Sequence, residues 1–408
     1  AGADATAPPV ATSAWLPDLD GNGFLDMVTG HPTAMGSGVL AGSATGAIVL
    51  QLLADGLSAT SVSDQVQLTA QEAVQLVFGG TADNNDILGS EFGASVACLG
   101  HVGLGPAPEL LVGAPGYNSA SGRVFRVSLD LVDGGITDVS ILGPIAPQGN
   151  ARFGTAMAVV HVQGAARVFI TAPGSTGSRL YGVELLPANT GNRPGLSWPP
   201  IEPEVAMAAA AATAMAHPSF GASVAAMQQP AEGAPVVLLA VGVPGMGDAG
   251  CIAMLVYTAS VLRPANAGVL CAPPSGTSGL SPVRLGHSIA FAGHTALPVR
   301  MGVSLLLGTR GASPRSDWLW SLRLSGPITA SGPPPAAAWT PLRLPLPEGG
   351  GAVVQVAHLA AATAPNGQVQ LAAQLRNATG GGADSALVLL PQFERSAASA
   401  GDCGMVGG

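Results

Sequence analysis

Lysine is absent from this 408-residue chain: all 15 basic residues are arginine, set against 24 acidic ones. Arg, Ala, Gly and Pro codons are all GC-rich, so the missing lysine accords with coding preference and is silent about function. Charged residues make up only 10% and aromatics 4%, where a quarter charged is usual. The net charge of −9 leaves no basic footprint for nucleic acid. Long apolar runs are missing too. The mean hydropathy of +0.42 would suit a membrane protein, yet no stretch of about eighteen apolar residues runs unbroken by Gly, Pro or polar side chains. Residues 1–10 lack the basic start and apolar stretch of a signal peptide and read as a mature N-terminus.

Cysteine is scarce, with four residues and no Cys-x-x-Cys pair, which excludes a zinc ribbon or a thioredoxin-type site. None of the seven histidines forms His-Glu-x-x-His. No Gly-x-Ser-x-Gly elbow or Walker loop appears, and no Gly-x-Gly-x-x-Gly stands in a strand–turn–helix setting. With so few acids for a carboxylate pair, the expectation is that the chain is not an enzyme.

What is present is repetition. Gly 57 and Pro 34 punctuate a chain that is still 48% hydrophobic, enough to bury a sizeable core. Phe92-Gly93-Ala94-Ser95-Val96 is followed by Leu110-Leu111-Val112-Gly113-Ala114-Pro115 and Gly122-Arg123-Val124-Phe125-Arg126-Val127. The pattern returns at Phe153-Gly154 with Ala172-Pro173, and at Phe220-Gly221 with Gly242-Val243-Pro244. A weaker copy starts at Leu285-Gly286, and eroded copies lie near Met27 to Pro32 and from Val353 to Leu390. The middle residues His31, Ala114, Ala172, Val243 and Thr309 are spaced by 83, 58, 71 and 66, a period near 65 with one insertion.

Each unit reads as three β-branched or leucine-rich runs between turn residues, then a fourth run that ends in proline, as at Pro144, Pro199 or Pro345. Four strands per repeat, repeated radially, is the β-propeller answer to exposed sheet edges. The expected fold is therefore all-β, a single propeller over 1–408 with six readable four-stranded blades across about 11–390. Ala5-Thr6-Ala7-Pro8-Pro9 carries a fourth-strand ending with no strands before it, so residues 1–10 are expected to close the last blade. Residues 396–408 form a glycine-rich tail.

Asp18-Leu19-Asp20-Gly21-Asn22-Gly23-Phe24-Leu25-Asp26 is the strongest chemical motif. Oxygens of Asp18, Asp20, Asn22 and Asp26, with the Phe24 carbonyl, can converge on a hard cation such as Ca²⁺. The run leads into a strand rather than a helix. Other units lack such a loop: aligning Glu109 with Asp26 puts His101, Gly103 and Gly105 at the remaining positions.

Cys251 begins the third run of its unit and Cys271 lies in the fourth, so a hairpin brings them side by side and a disulfide is expected. Cys98 and Cys403 form a weaker candidate pair. Asn377-Ala378-Thr379 is the only N-glycosylation sequon and agrees with an oxidising compartment.

Phe-Gly followed by Gly-Ala-Pro, with an acidic loop between the first two strands, resembles the FG-GAP repeat of integrin α-subunit propellers. Integrin propellers have seven blades; six are read here. The resemblance implies an extracellular, calcium-stabilised adhesion or recognition module with a protein or glycan ligand at a propeller face. Two alternatives are a structural subunit of a cell-surface assembly and the non-catalytic propeller of a secreted hydrolase whose catalytic domain lies outside this chain. Neither nucleic acid nor a membrane span within the chain is expected.

Overall fold

The computed structural model describes residues 12–22, 25–35, 43–53, 62–79, 84–100, 108–130, 135–142, 150–162, 165–174, 177–185, 200–201, 213–214, 216–229, 236–247, 250–258, 264–271, 285–297, 300–308, 319–324, 337–342, 354–363, 369–377 and 385–393. These residues form six antiparallel sheets, each of strands consecutive in the chain. The first sheet holds β1 (Thr12–Leu16), β2 (Asp26–His31), β3 (Ala47–Leu53) and β4 (Val62–Thr69). The second holds β5 (Ser95–Gly100), β6 (Glu109–Ala114), β7 (Arg123–Leu129) and β8 (Ile136–Leu142). In the third are β9 (Met157–Val162), β10 (Ala165–Gly174), β11 (Gly177–Leu185) and the short β12 (Pro200–Ile201).

The fourth contains β13 (Val224–Gln229), β14 (Val236–Val243), β15 (Cys251–Thr258) and β16 (Pro264–Cys271). The fifth contains β17 (Ser288–Leu297), β18 (Arg300–Gly308), β19 (Leu319–Leu324) and β20 (Ala337–Leu342). The sixth has three described strands, β21 (Val354–Thr363), β22 (Val369–Asn377) and β23 (Ser385–Phe393). The described chain is thus all-β, mostly in four-stranded antiparallel sheets, as the repeat predicts. The strand expected to close the last sheet, within residues 1–10, lies outside the described residues, as does the tail 396–408.

The sheets are organised about their first strands. β1 adjoins β5, β5 adjoins β9, β9 adjoins β13, β13 adjoins β17, β17 adjoins β21, and β21 adjoins β1. Core lies in the gaps between neighbouring sheets, and the Phe of each Phe-Gly fills one gap. Phe92 is fully buried between the first and second sheets, where its ring meets Phe125 edge-on at 5.3 Å. Phe153 does the same between the second and third, against Tyr181 at 5.2 Å, and Phe220 sits between the third and fourth. Leu285 takes that place between the fourth and fifth. The glycine that follows turns the chain in the left-handed region, at φ +88° for Gly93 and +91° for Gly154, where a side chain is disfavoured.

The second half of the repeat forms a latch between sheets. Ser95 donates its hydroxyl to the Gly154 carbonyl at 2.7 Å, and Ser223 donates to Gly286 at 2.7 Å. Thr12 donates to Gly93 at 3.3 Å, and Ser288 accepts the Leu359 N–H at 2.7 Å. A glycine must face each donor: a Cβ on Gly113 would lie 2.2 Å from the Ser95 hydroxyl and 2.1 Å from the Gly154 oxygen. The third sheet exchanges the two. Ala156 replaces the serine, and Thr171 replaces the glycine and donates to Gly221 at 2.8 Å.

The insertion in the repeat period holds α1 (Ala70–Phe78) and α2 (Asn84–Ile87), between β4 and β5. Thr69 and Glu72 form a reciprocal capping box at the start of α1, and Gly79 ends it in the left-handed region. The short α2 is a single helical turn that carries Asp86.

Candidate metal centre

The β1–β2 connection carries the acidic loop, which leads into a strand as expected, β2 starting at Asp26. Carboxylate oxygens of Asp18, Asp20 and Asp26 lie within 4.8 Å of one another. Asp20 is exposed, Asp18 half-buried and Asp26 fully buried. Asp26 accepts the Leu19 N–H at 2.7 Å and the Leu53 N–H at 2.9 Å, so it ties the loop to the end of β3. Burial pushes its carboxyl up to about 6; the two amide donors oppose the shift, and the charges of Asp20 and Asp18 add to it. Among the described residues no cationic side chain forms an ion pair with Asp26.

Two of the five expected ligands are placed differently or lie outside. Asn22 turns its amide NH₂, not its oxygen, inward, donating to Asp20 at 3.0 Å and to the Leu53 carbonyl at 2.7 Å. Its backbone N–H donates to Asp18 at 3.0 Å. Asn22 thus orders the carboxylates in this arrangement rather than joining them. The physical reason is the Leu53 carbonyl, a strong acceptor that selects the NH₂ end of the amide. Phe24 lies outside the described residues. Three convergent carboxylates suit a hard, oxygen-seeking cation.

The equivalent place in the next three sheets explains why Asp26 stands out. Five residues before the middle of each motif stand Asp26, Glu109, Arg167 and Leu238, all buried. Glu109 pairs with Arg126 of β7. Arg167 pairs with Glu184 of β11 at 3.3 Å, with the signs reversed between the strands. Leu238 removes the charge. Sequence reading aligned Glu109 with Asp26 but missed these arginines; only Arg167 carried a signal, as a lone basic residue inside an apolar strand.

The remaining expected sites are scattered. Cys251 and Cys271 face each other in the β15–β16 register and form a disulfide. Cys98, in β5, is disulfide-bonded as well, and Cys403 lies outside the described residues. Asn377 is the last residue of β22. His31 is held by the Thr29 hydroxyl at 3.1 Å, and burial lowers its pKa. No helix among the described residues is long and apolar enough to cross a membrane. The Cys251–Cys271 disulfide is compatible with an extracellular location.

No protein-family model matches the chain, and no curated protein matches it. Solved structures similar to it include a mutant of AofleA from Arthrobotrys oligospora, at 11% identity and TM-score 0.47, covering 95% of this chain and 83% of that one. An endo-arabinase from Bacteroides thetaiotaomicron has 12% identity and TM-score 0.37, covering 70% and 90%. An α-L-arabinofuranosidase from Lactobacillus brevis has 10% identity and TM-score 0.41, covering 69% and 86%. The expectation that the chain is not an enzyme is corrected by these last two: sugar-cleaving enzymes stand among the similar structures, and that expectation is withdrawn. Likeness at this level carries no activity over to this chain.

Proposed function

We propose that the chain is an extracellular β-propeller that acts as a calcium-stabilised recognition module resembling the integrin α propeller. Its six sheets are the blades. Residues near 4 to 9 supply the outer strand of the last blade, and a protein or glycan ligand meets one face of the ring. The observation that supports the reading is Asp26, a fully buried carboxylate beside Asp18 and Asp20, at a place where the second and third sheets carry an ion pair. A calcium ion there supplies positive charge and holds the β1–β2 connection. The residues that would hold it are Asp18, Asp20 and Asp26, with the Phe24 carbonyl as a further oxygen.

The test is calorimetric titration of calcium into chelated protein, with melting followed in parallel. Binding with a raised melting temperature, both lost in Asp20→Ala, supports the site. No heat and no shift at millimolar calcium sinks it. In the alternative reading the propeller belongs to a secreted hydrolase. Release of reducing sugar from a polysaccharide by the purified chain would favour a hydrolase with its own catalytic site over a recognition module.

A further inference from the structure

The second and third sheets are fastened to each other near both ends of their inner strands. The Ser95 latch holds the start of β5. A histidine holds its end. The β5–β6 register passes from Cys98↔Leu110 to Gly100↔Glu109, a bulge that leaves Leu99 without a register partner. His161 of β9 reaches across the gap, and its Nε2 lies 3.0 Å from the carbonyl of the buried Leu99. A carbonyl only accepts, so Nε2 is the protonated nitrogen and Nδ1 the bare one. Nδ1 is enclosed and meets no hydrogen-bond partner among the described residues. A second proton therefore enters a buried place without an acceptor. Burial lowers the His161 pKa, against the opposing effect of the Leu99 carbonyl.

His161 alternates along β9 with Met157 and Val159, so it faces the second sheet. In that gap Glu109 of β6 stands opposite Gly100, and its carboxylate is paired with Arg126 of β7. Tyr181 of β11 faces the same gap, against Phe153. On β10, Arg167 is in register with Val160 and so lies on the other face, paired with Glu184. β5 and β13 carry no charged residue, and His101 lies outside the described residues. We propose that the β5–β9 joint is an acid-sensitive fastening, in which protonation of His161 loosens the inner strands of the second and third sheets from each other. The Ser95 hydroxyl keeps its hydrogen across the same range, so acid frees one end of the joint and leaves the other closed. The folded state binds the second proton less tightly than the unfolded chain. The stability that His161 contributes is therefore full above pH 6.5 and is lost as pH falls below it.

Urea unfolding of the full chain between about pH 5 and pH 8 tests it. His161→Gln is the comparison, since glutamine keeps an N–H donor for Leu99 and does not titrate. Relative to that variant, the unfolding constant of the parent is expected to rise by up to about tenfold for each pH unit below about 6.5. Amide exchange, corrected for its intrinsic pH dependence, should place the loss in β5 and β9. Parallel pH profiles of parent and variant, or exchange that quickens evenly over all six sheets, would overturn the inference. The ring proton resonances of His161 give a second reading on the parent alone. Titration below pH 6.5 is expected, and titration at or above that value would overturn the inference as well.

Discussion

The second and third sheets build the same joints with opposite residues. At the latch, the second sheet places a hydroxyl on its first strand and a glycine on its second, Ser95 facing Gly113. The third places alanine first and the hydroxyl second, Ala156 facing Thr171. At the buried charge, the second sheet puts the acid on its second strand and arginine on its third, and the third sheet reverses them. In both cases the repeat keeps a pair rather than a residue. Space and charge at the joint are fixed, and either strand can supply the filling group.

The most severe way to break this comparison is to remove half of a buried pair. Arg126→Met leaves Glu109 buried without its counter-charge, and we expect a loss of about 3–5 kcal/mol in urea unfolding. Glu109→Leu with Arg126→Met, which copies the apolar solution at Leu238, should recover most of that loss. A double variant no better than the single one would show that the two sheets are not equivalent.

Next in size is the latch. Gly113→Thr alone forces a side chain against Ser95 and Gly154 and is expected to cost about 3 kcal/mol. Adding Ser95→Ala recreates the third sheet's arrangement and should restore part of that stability, measured by the urea midpoint. Thr171→Val is milder, about 1–2 kcal/mol, because it leaves the Gly221 carbonyl without its donor.

The smallest effect sharpens the contrast with the first sheet, where no ion pair with Asp26 is seen among the described residues. Asp26 in the folded chain titrates at about 6, above its ordinary 3.8. The folded state therefore binds this proton more tightly than the unfolded state. In chelated protein its contribution to stability is greatest at low pH and falls as pH rises from about 4 to about 6. Urea midpoints of parent and Asp26→Asn across this range should diverge as pH rises, the parent losing ground. Parallel curves would remove Asp26 as the source.

Much of this was legible in the sequence because the signals are local. The Phe-Gly and Ala-Pro landmarks marked sheets two to four, since a gap-filling ring and a left-handed turn need those residue types. Cys251 and Cys271 could be paired because a hairpin fixes their neighbourhood. The acidic loop was visible as a cluster of carboxylates. The role of Asn22 was not, because it depends on the Leu53 carbonyl, 31 positions away. Arg126 and Arg167 looked like stray charges until the strand register brought them to their partners. Helix α1 went unread although Thr69 and Glu72 carry the capping-box spacing.

The adjacency of β21 to β1 has a kinetic consequence. Every sheet is made of neighbouring hairpins, so most pairing is local and quick to form. Among the described strands, the meeting of β1 with β21 spans nearly the whole chain, from Thr12 to Val354. Closing a loop of that length rather than one repeat costs only about 1.5 kcal/mol more in chain entropy, since the penalty grows with the logarithm of length. The last contact to form during folding is thus late because its partners are synthesised far apart in time, and once made it weighs little against the rest. During synthesis the first sheet must wait for the sixth, with β1 as its unprotected flank.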